Sequence, residues 1–312
     1  MIQNFDELLK AAGALATRKV GVVFPNNDGT FLAISEATSR LGASFVLFGP
    51  WDLIEGGLSN VPRIRNSVEV AECATIEAAL SAALLAASNG EVNILMKGGV
   101  DTSTMMKVIL SNGGQPLNHP SLRTGRLISD IFVFEYPKRS ENKFVMITDG
   151  GMTLSPDLKK KVELIRNAVE VAHALGNMNP KVAVLSATEF VLPDLQSTVD
   201  AAALSKMNER GQIKGCIVDG PLALDNALSV EAAAEKGIRS EVAGKAEILV
   251  ASNIEAANSL AKSTTYFAEM RLAHVIVGAK IPILIPSRSD RSDAKLLSIA
   301  LGSVVSEYLK EA

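Results

Sequence analysis

The chain reads as an α/β fold built on mainly parallel sheets, and three observations say so. Short β-branched runs recur along its length. Most are apolar throughout rather than alternating, the pattern of strands covered on both faces. Between them lie longer stretches whose apolar residues fall three and four apart, the spacing of amphipathic helices. The strand-like runs also end in loops rich in Gly, Ser, Thr and Asp, where a sheet with helical connections collects its ligands.

MIQNFDELLKAAG opens the chain as an amphipathic helix carrying acids, not as a signal peptide. Strands follow at Lys19–Phe24 (KVGVVF), Ser44–Phe48 (SFVLF), Val92–Met96 (VNILM), Asp130–Phe134 (DIFVF) and Lys143–Thr148 (KFVMIT). SPDLKKKVELIRNAVEVAHALG then forms the clearest helix, with Leu158, Val162, Ile165, Val169 and Ala172 on one stripe. Ser155 is its expected N-cap, Pro156 its first residue and Gly176 its stop. Further strands are Lys181–Leu185 (KVAVL), Cys216–Val218, Glu247–Val250 (EILV), His274–Val277 (HVIV) and Ile281–Ile285 (IPILI). A last helix, Asp293–Lys310, is built around Leu296, Leu297, Ala300, Leu301 and Val304.

At 312 residues the chain exceeds one comfortable core, so two domains are expected, with the polar, proline-bearing Tyr136–Asn142 (YPKRSEN) as a linker. Hydrophobic residues make 47% and charged ones 21%, the composition of an ordinary globular protein. A net charge of -3 gives no broad basic field for nucleic acid or an acidic membrane. No apolar run approaches the ~20 residues of a membrane span. Two distant cysteines, Cys73 and Cys216, point to a reducing cytoplasm rather than a disulfide framework. Three histidines without HxxxH or HExxH spacing give no metal site.

The strand ends supply the candidate ligand residues. VNILM runs into Lys97-Gly98-Gly99-Val100-Asp101-Thr102, KFVMIT into Asp149-Gly150-Gly151, CIV into Asp219-Gly220-Pro221, and IPILI into Pro286-Ser287-Arg288-Ser289-Asp290-Arg291-Ser292-Asp293. In KGGVDTST the glycines let backbone approach an anion and Thr102 offers a hydroxyl at a helix start. In SRSDRSD, Ser287 and Arg288 suit phosphate oxygens, Arg288 through a two-pronged contact. Taken singly, each reads better as a tight turn or helix cap. Together they shift the balance toward a phosphate-bearing ligand. GxGxxG, GxxxxGK[ST] and GxSxG are all absent, which disfavours a dinucleotide site, a P-loop and a nucleophile elbow.

Eight segments share a wider resemblance. KGGVDTSTMMK, SLRTGRLISD, TDGGMTLSPDLKKKVELIRNAVEVAHALG, PKVAVLSATE, LSKMNERGQIKG, CIVDGPLALDNALS, VAGKAEILVASNIEAAN and IPSRSD resemble the phosphate acetyl/butyryltransferase family, in its order, and its phosphate butyryltransferase branch most. They span roughly Val92 to Ala300, whereas the first ninety residues match in general pattern only. The resemblance implies two three-layer α/β domains of the isocitrate/isopropylmalate dehydrogenase-like kind with an active-site cleft between them. Residues 1–137 plus 286–312 would form one and 138–285 the other, in a homodimer.

It also implies a reaction, acyl-CoA plus phosphate giving acyl phosphate plus CoA, with butyryl-CoA the expected substrate and acetyl-CoA the alternative. Coenzyme A is a substrate, and neither cofactor nor metal is called for. A carboxylate takes the thiol proton and the thiolate attacks the acyl carbonyl directly. A free thiol, with a pKa of about 8.5, is mostly protonated at neutral pH, so a base helps.

Carried over residue by residue, Ser287 and Arg288 match the family's Ser-Arg pair expected to contact phosphoryl and acyl groups. The acetyltransferase branch has its basic aspartate where this chain has Ala294. Asp293 is the favoured substitute and Asp290 the rival, with a plain helix cap nearly as good a reading of Asp293. Lys107 stands where the family has an arginine, keeping charge but losing the fork. Arg123 and Arg126 are further candidates for phosphate or coenzyme. Asp219 would bind a ligand hydroxyl or amide, or fix the Gly220-Pro221 turn. Asn258 lies in EAAN where the family reads EAGN, so Ala257 departs from the pattern. Two other readings stay on the page: a metal- and nicotinamide-dependent oxidoreductase of the same architecture, and a non-catalytic relative that binds coenzyme A or acyl phosphate.

Overall fold

A computed structural model describes residues 1–15, 18–111, 120–139, 143–287, 290 and 292–311. In chain order the elements are α1 (Phe5–Ala14), β1 (Lys19–Val23), α2 (Asp28–Leu41), β2 (Ser44–Gly49), α3 (Trp51–Ser59), β3 (Val68–Glu72), α4 (Ile76–Ser88), β4 (Ile94–Lys97) and α5 (Thr102–Leu110). There follow β5 (Ser129–Glu135), β6 (Phe144–Thr148), α6 (Leu158–Ala174), β7 (Lys181–Leu185), α7 (Gln196–Glu209), β8 (Ile217–Leu222), α8 (Leu224–Leu228) and α9 (Val230–Glu235). The chain closes with β9 (Ile248–Val250), α10 (Ile254–Tyr266), β10 (Leu272–Val277), β11 (Ile283–Leu284) and α11 (Ser292–Glu311). The fold is α/β with mainly parallel strands. No helix among the described residues is long and apolar enough to cross a membrane.

The chain divides into two compact units, Phe5–Arg126 with Ala273–Ala312 and Met1–Asn4 with Leu127–Leu272. The chain changes unit at Asn4/Phe5, Arg126/Leu127 and Leu272/Ala273, whereas the expected changes were at 137/138 and 285/286. Strand pairing explains the difference. β5 is matched to β6 from Ile131↔Thr148 to Glu135↔Phe144, and β10 pairs with β11 at Ile276↔Ile283, so each stays with its partner.

In the first unit the strand order is β3-β2-β1-β4-β11-β10, all parallel except β10 against β11. β1 buries every residue after Lys19, as a strand covered on both faces should. Phe31, Phe45, Leu47, Ile54 and Leu80 are fully buried in its core. β3 was not legible in the sequence. VEVAE is an edge strand with two acids and only partial burial, so it lacks the apolar run that marks the inner strands.

In the second unit the order is β5-β6-β9-β7-β8, with only β5 antiparallel. Phe132, Val145, Ile147, Leu222 and Leu249 belong to its core. α6 begins at Leu158, and its N-cap is Asp157, whose side chain accepts the Lys160 N–H at 2.8 Å, not Ser155. Asp157 wins because its carboxylate stands three residues before an unsatisfied N–H of the first turn. β8 runs on to Leu222, so Asp219-Gly220-Pro221 lies within the strand and not beyond it. Its register against β7 shifts between Ala183 and Leu185, and an edge position tolerates both the irregularity and the proline.

Candidate functional site

In the unit Phe5–Arg126 with Ala273–Ala312, β11 pairs in parallel with β4 through Ile283↔Leu95 and Leu284↔Met96. β4 pairs in parallel with β1 up to Val23↔Lys97. The segments leaving β1, β4 and β11 therefore emerge at one end of the sheet. They carry Asn26 and Asn27, Lys97-Gly98-Gly99, and Ser287, Asp290 and Asp293.

Both glycines lie close to the segment that leaves β1. Gly98 donates its N–H to the Val23 carbonyl at 2.9 Å and Gly99 to the Phe24 carbonyl at 2.6 Å. A Cβ at Gly98 would stand 2.6 Å from the Val23 oxygen, and one at Gly99 would stand 2.2 Å from the Asn26 side chain. Lys97 is buried and Thr102 half-buried at the start of α5, which Asp101 precedes without a side-chain capping bond. Asn27 caps α2, accepting the Thr30 N–H at 3.0 Å.

Beyond β11, Asp290 turns back on Ser287. Its Oδ2 accepts the Ser287 N–H at 2.7 Å, while its own N–H donates to the Ser287 carbonyl at 3.2 Å. His274 brings Nε2 to 3.9 Å from the same Oδ2, and the Lys295 Nζ donates to the Asp290 carbonyl at 2.8 Å. Both side chains are buried, and burial pulls the Lys295 ammonium below the usual lysine range, partly offset by the Asp290 charge. Asp293 is half-buried in the first turn of α11 and accepts the Ala294 N–H at 3.0 Å. Arg288 lies outside the described residues, as do Ser289 and Arg291. Lys295 and His274 were not singled out as site residues by sequence pattern. One signal was available: Lys295 stands one turn before Ile299 on the apolar side of the last helix, where the helical period calls for burial.

Other candidates sit elsewhere. Arg123 forms a bridge with Ala279 and its Nη1 donates to the Leu110 carbonyl at 3.3 Å, while Thr124 donates to the Gly278 carbonyl at 2.6 Å. These bonds hold Arg123 where β10 turns into β11, at the other end of β4 and β11 from Gly99 and Ser287. Lys107 is exposed near the end of α5. Arg126 donates its backbone N–H to Thr124 Oγ1 at 3.3 Å and closes its unit.

In the other unit, Asp219 accepts the Gly220 N–H at 2.8 Å and the Ser205 hydroxyl at 3.4 Å, which ties it to its own strand and to α7. Asn258 donates its amide to the Gly150 carbonyl at 2.9 Å, locking α10 to the loop after β6. Asp149 organises that loop. Its carboxylate accepts the N–H groups of Asp130, Gly151 and Met152 at 3.1 Å and of Thr153 at 2.9 Å. Burial nonetheless pushes its pKa up to about 6, with the Asp130 charge adding to the rise and the bonds from Gly151, Asp130 and Thr153 opposing it.

At the carboxyl ends of β7 and β9, between the starts of α7 and α10, lies a cavity of about 350 Å³. Ser186, Ser197 and Ser252 supply its hydroxyls, and leucines and alanines its walls. Among the described residues no charged one lines it. Burial raises both thiols, Cys216 to about 11. No group of three His, Cys, Asp or Glu residues suited to a metal occurs among the described residues.

Comparison with known proteins matches residues 63–302 to the family described as "Phosphate acetyl/butaryl transferase". The chain is 40% identical to the phosphate butyryltransferase of Clostridium beijerinckii over 305 residues, 98% of each chain. It is 42% identical to the phosphate acetyltransferase of Thermotoga maritima, over 97% of this chain and 99% of that one. Among solved structures, a branched-chain phosphotransacylase from Enterococcus faecalis superposes with a TM-score of 0.80 at 27% identity, covering 93% of this chain and 99% of that one. A phosphotransacetylase from Streptococcus pyogenes shares the fold at a TM-score of 0.77 and 15% identity. A family match over most of the sequence, with relatives near 40% identity along nearly all of it, settles the assignment: the chain belongs to the phosphate acetyl/butyryltransferase family of acyltransferases.

Proposed function

We propose that the protein interconverts a short-chain acyl-CoA plus phosphate with acyl phosphate plus coenzyme A, with butyryl-CoA its preferred substrate. One observation carries this reading from the structure. β4 and β11 are parallel neighbours, so the glycine loop and the Ser287 turn leave the sheet together, beside a buried lysine. A hydroxyl and cationic side chains gathered at one strand end suit an anion.

In this reading Ser287 and Arg288 hold the phosphoryl group. Asp293 takes the proton from the coenzyme thiol. The thiolate attacks the acyl carbon of acyl phosphate, the carbon–oxygen bond to phosphate breaks, and inorganic phosphate leaves as the thioester forms. Donors placed where negative charge builds account for most of the acceleration. No acyl-enzyme is needed, and burial keeps both protein thiols in their unreactive protonated form. The uncharged cavity at the ends of β7 and β9 suits a neutral ligand segment such as the pantetheine arm. The protein would work as a cytoplasmic homodimer with no cofactor beyond the coenzyme it consumes.

An acetyl-transferring enzyme is the second reading, because a phosphate acetyltransferase matches at 42% identity, as well as the butyryltransferases do. Thiol release from acetyl-, propionyl-, butyryl- and isobutyryl-CoA, with and without phosphate, tests both. Phosphate-dependent release fastest with butyryl-CoA is expected. Phosphate-independent release would mark a thioesterase instead. Replacing Arg288 by alanine should cost about 100-fold or more in kcat/KM, the usual effect of removing a charged transition-state donor.

A further inference from the structure

We propose that Asp290, His274 and Lys295 are positioning residues that hold Ser287 in place to meet phosphate, and that Asp290 is not the base. The inference rests on the acyltransferase reading above. Its basis is that His274 of β10 and Lys295 of α11 both reach Asp290, and Asp290 in turn bonds to Ser287.

Asp290 bonds to Ser287 twice, through its carboxylate at 2.7 Å and its own N–H at 3.2 Å. A charged acceptor on a backbone N–H is among the stronger bonds available to a loop. His274 reaches the same oxygen at 3.9 Å from β10, and its backbone N–H is anchored to the Ser298 hydroxyl of α11 at 3.0 Å. Lys295, only 4% exposed in the first turn of α11, donates to the Asp290 carbonyl at 2.8 Å. Lysine is almost never buried without a partner, and an apolar residue could fill that position as well. The ammonium adds two things that an apolar residue would not: a bond to the turn, and positive charge beside a site for an anion. The sequence puts Arg288 between the two residues that this arrangement joins. Asp290 then acts through Ser287, and the base role falls to Asp293.

The test compares Asp290→Ala, Asp290→Asn, His274→Gln and Lys295→Met in the phosphate-dependent butyryl-CoA assay, with Tm measured for each. Asp290→Ala should raise the KM for phosphate about tenfold or more, with a smaller change in kcat. Asparagine keeps an acceptor oxygen and should recover most of that loss. His274→Gln and Lys295→Met should raise the phosphate KM several-fold while the butyryl-CoA KM moves by less than about twofold. If the alanine variant does not fold, the asparagine and methionine variants still decide.

Equal collapse of kcat in Asp290→Ala and Asp290→Asn, with phosphate KM unmoved and the acidic limb of the pH–rate profile gone, would make Asp290 the base and overturn the inference. Parallel rises in both KM values would also overturn it, as general loosening. A wild-type protein with no phosphate-dependent release fails at the earlier step and points to the functional reading itself.

Discussion

Gly98 crosses the end of β1 so closely that its N–H donates to the Val23 carbonyl at 2.9 Å, and a Cβ there would lie 2.6 Å from that oxygen. The first glycine of the KGG segment is thus required by the sheet itself. The nearest neighbour of the second is a side chain, that of Asn26, which is exposed and able to move.

This difference has a measurable consequence. Gly98→Ala must displace backbone, and is expected to cost about 2–3 kcal/mol of stability. Gly99→Ala displaces the end of an exposed asparagine and should cost less than about 1 kcal/mol. Urea unfolding of the two variants checks this; equal losses would mean that the two contacts are not distinct.

The proposed direct attack by the coenzyme thiolate would leave no task for the protein's own thiols. Cys73→Ser and Cys216→Ser should each keep kcat within about twofold of the parent. Steady-state kinetics on both variants, with a mass-spectrometric search for acyl adducts under turnover, is the check. Full inactivation of either, or an acyl group on cysteine, would contradict direct transfer.

Asp149 gives a pH signature. Its folded pKa, about 6, lies above the roughly 3.9 of an unfolded aspartate. Between those values the folded chain binds the extra proton, so this group's contribution favours folding at low pH and is lost as pH rises from about 4 to 6. The sum is on the order of 3 kcal/mol. Asp149→Asn cannot ionise, and should be the less stable protein at pH 4 because its amide faces N–H donors. Its deficit against the parent should shrink by up to about 3 kcal/mol by pH 7. Urea unfolding at both pH values measures that gap, and a gap that does not change with pH would rule out a buried, protonatable Asp149.

Much of the architecture was legible because it depends on local periodicity. Inner strands such as KVGVV and KVAVL are apolar runs, and α6 and α11 carry an apolar stripe, so each reveals itself within a few turns of chain. β3 did not, because a partly exposed edge strand interrupted by two acids looks like a loop. The site was only partly legible. Ser287, Gly98 and Gly99 stand out as residue types at strand ends, but nothing local says that Asn258 is spent on Gly150 or Asp219 on the Gly220 N–H.

By itself the sequence determined the α/β class, the order of most elements and the family, since these follow from hydrophobic period and from residue strings read along one dimension. The tertiary structure decided which strand ends meet. β4 and β11 are far apart in the chain and become neighbours through backbone hydrogen bonds that any pair of apolar strands could make. That choice brings Gly99, Ser287 and Lys295 to one end and leaves Arg123 at the other. The physical reason is that strand pairing is set by the packing of the whole sheet, which no single segment encodes.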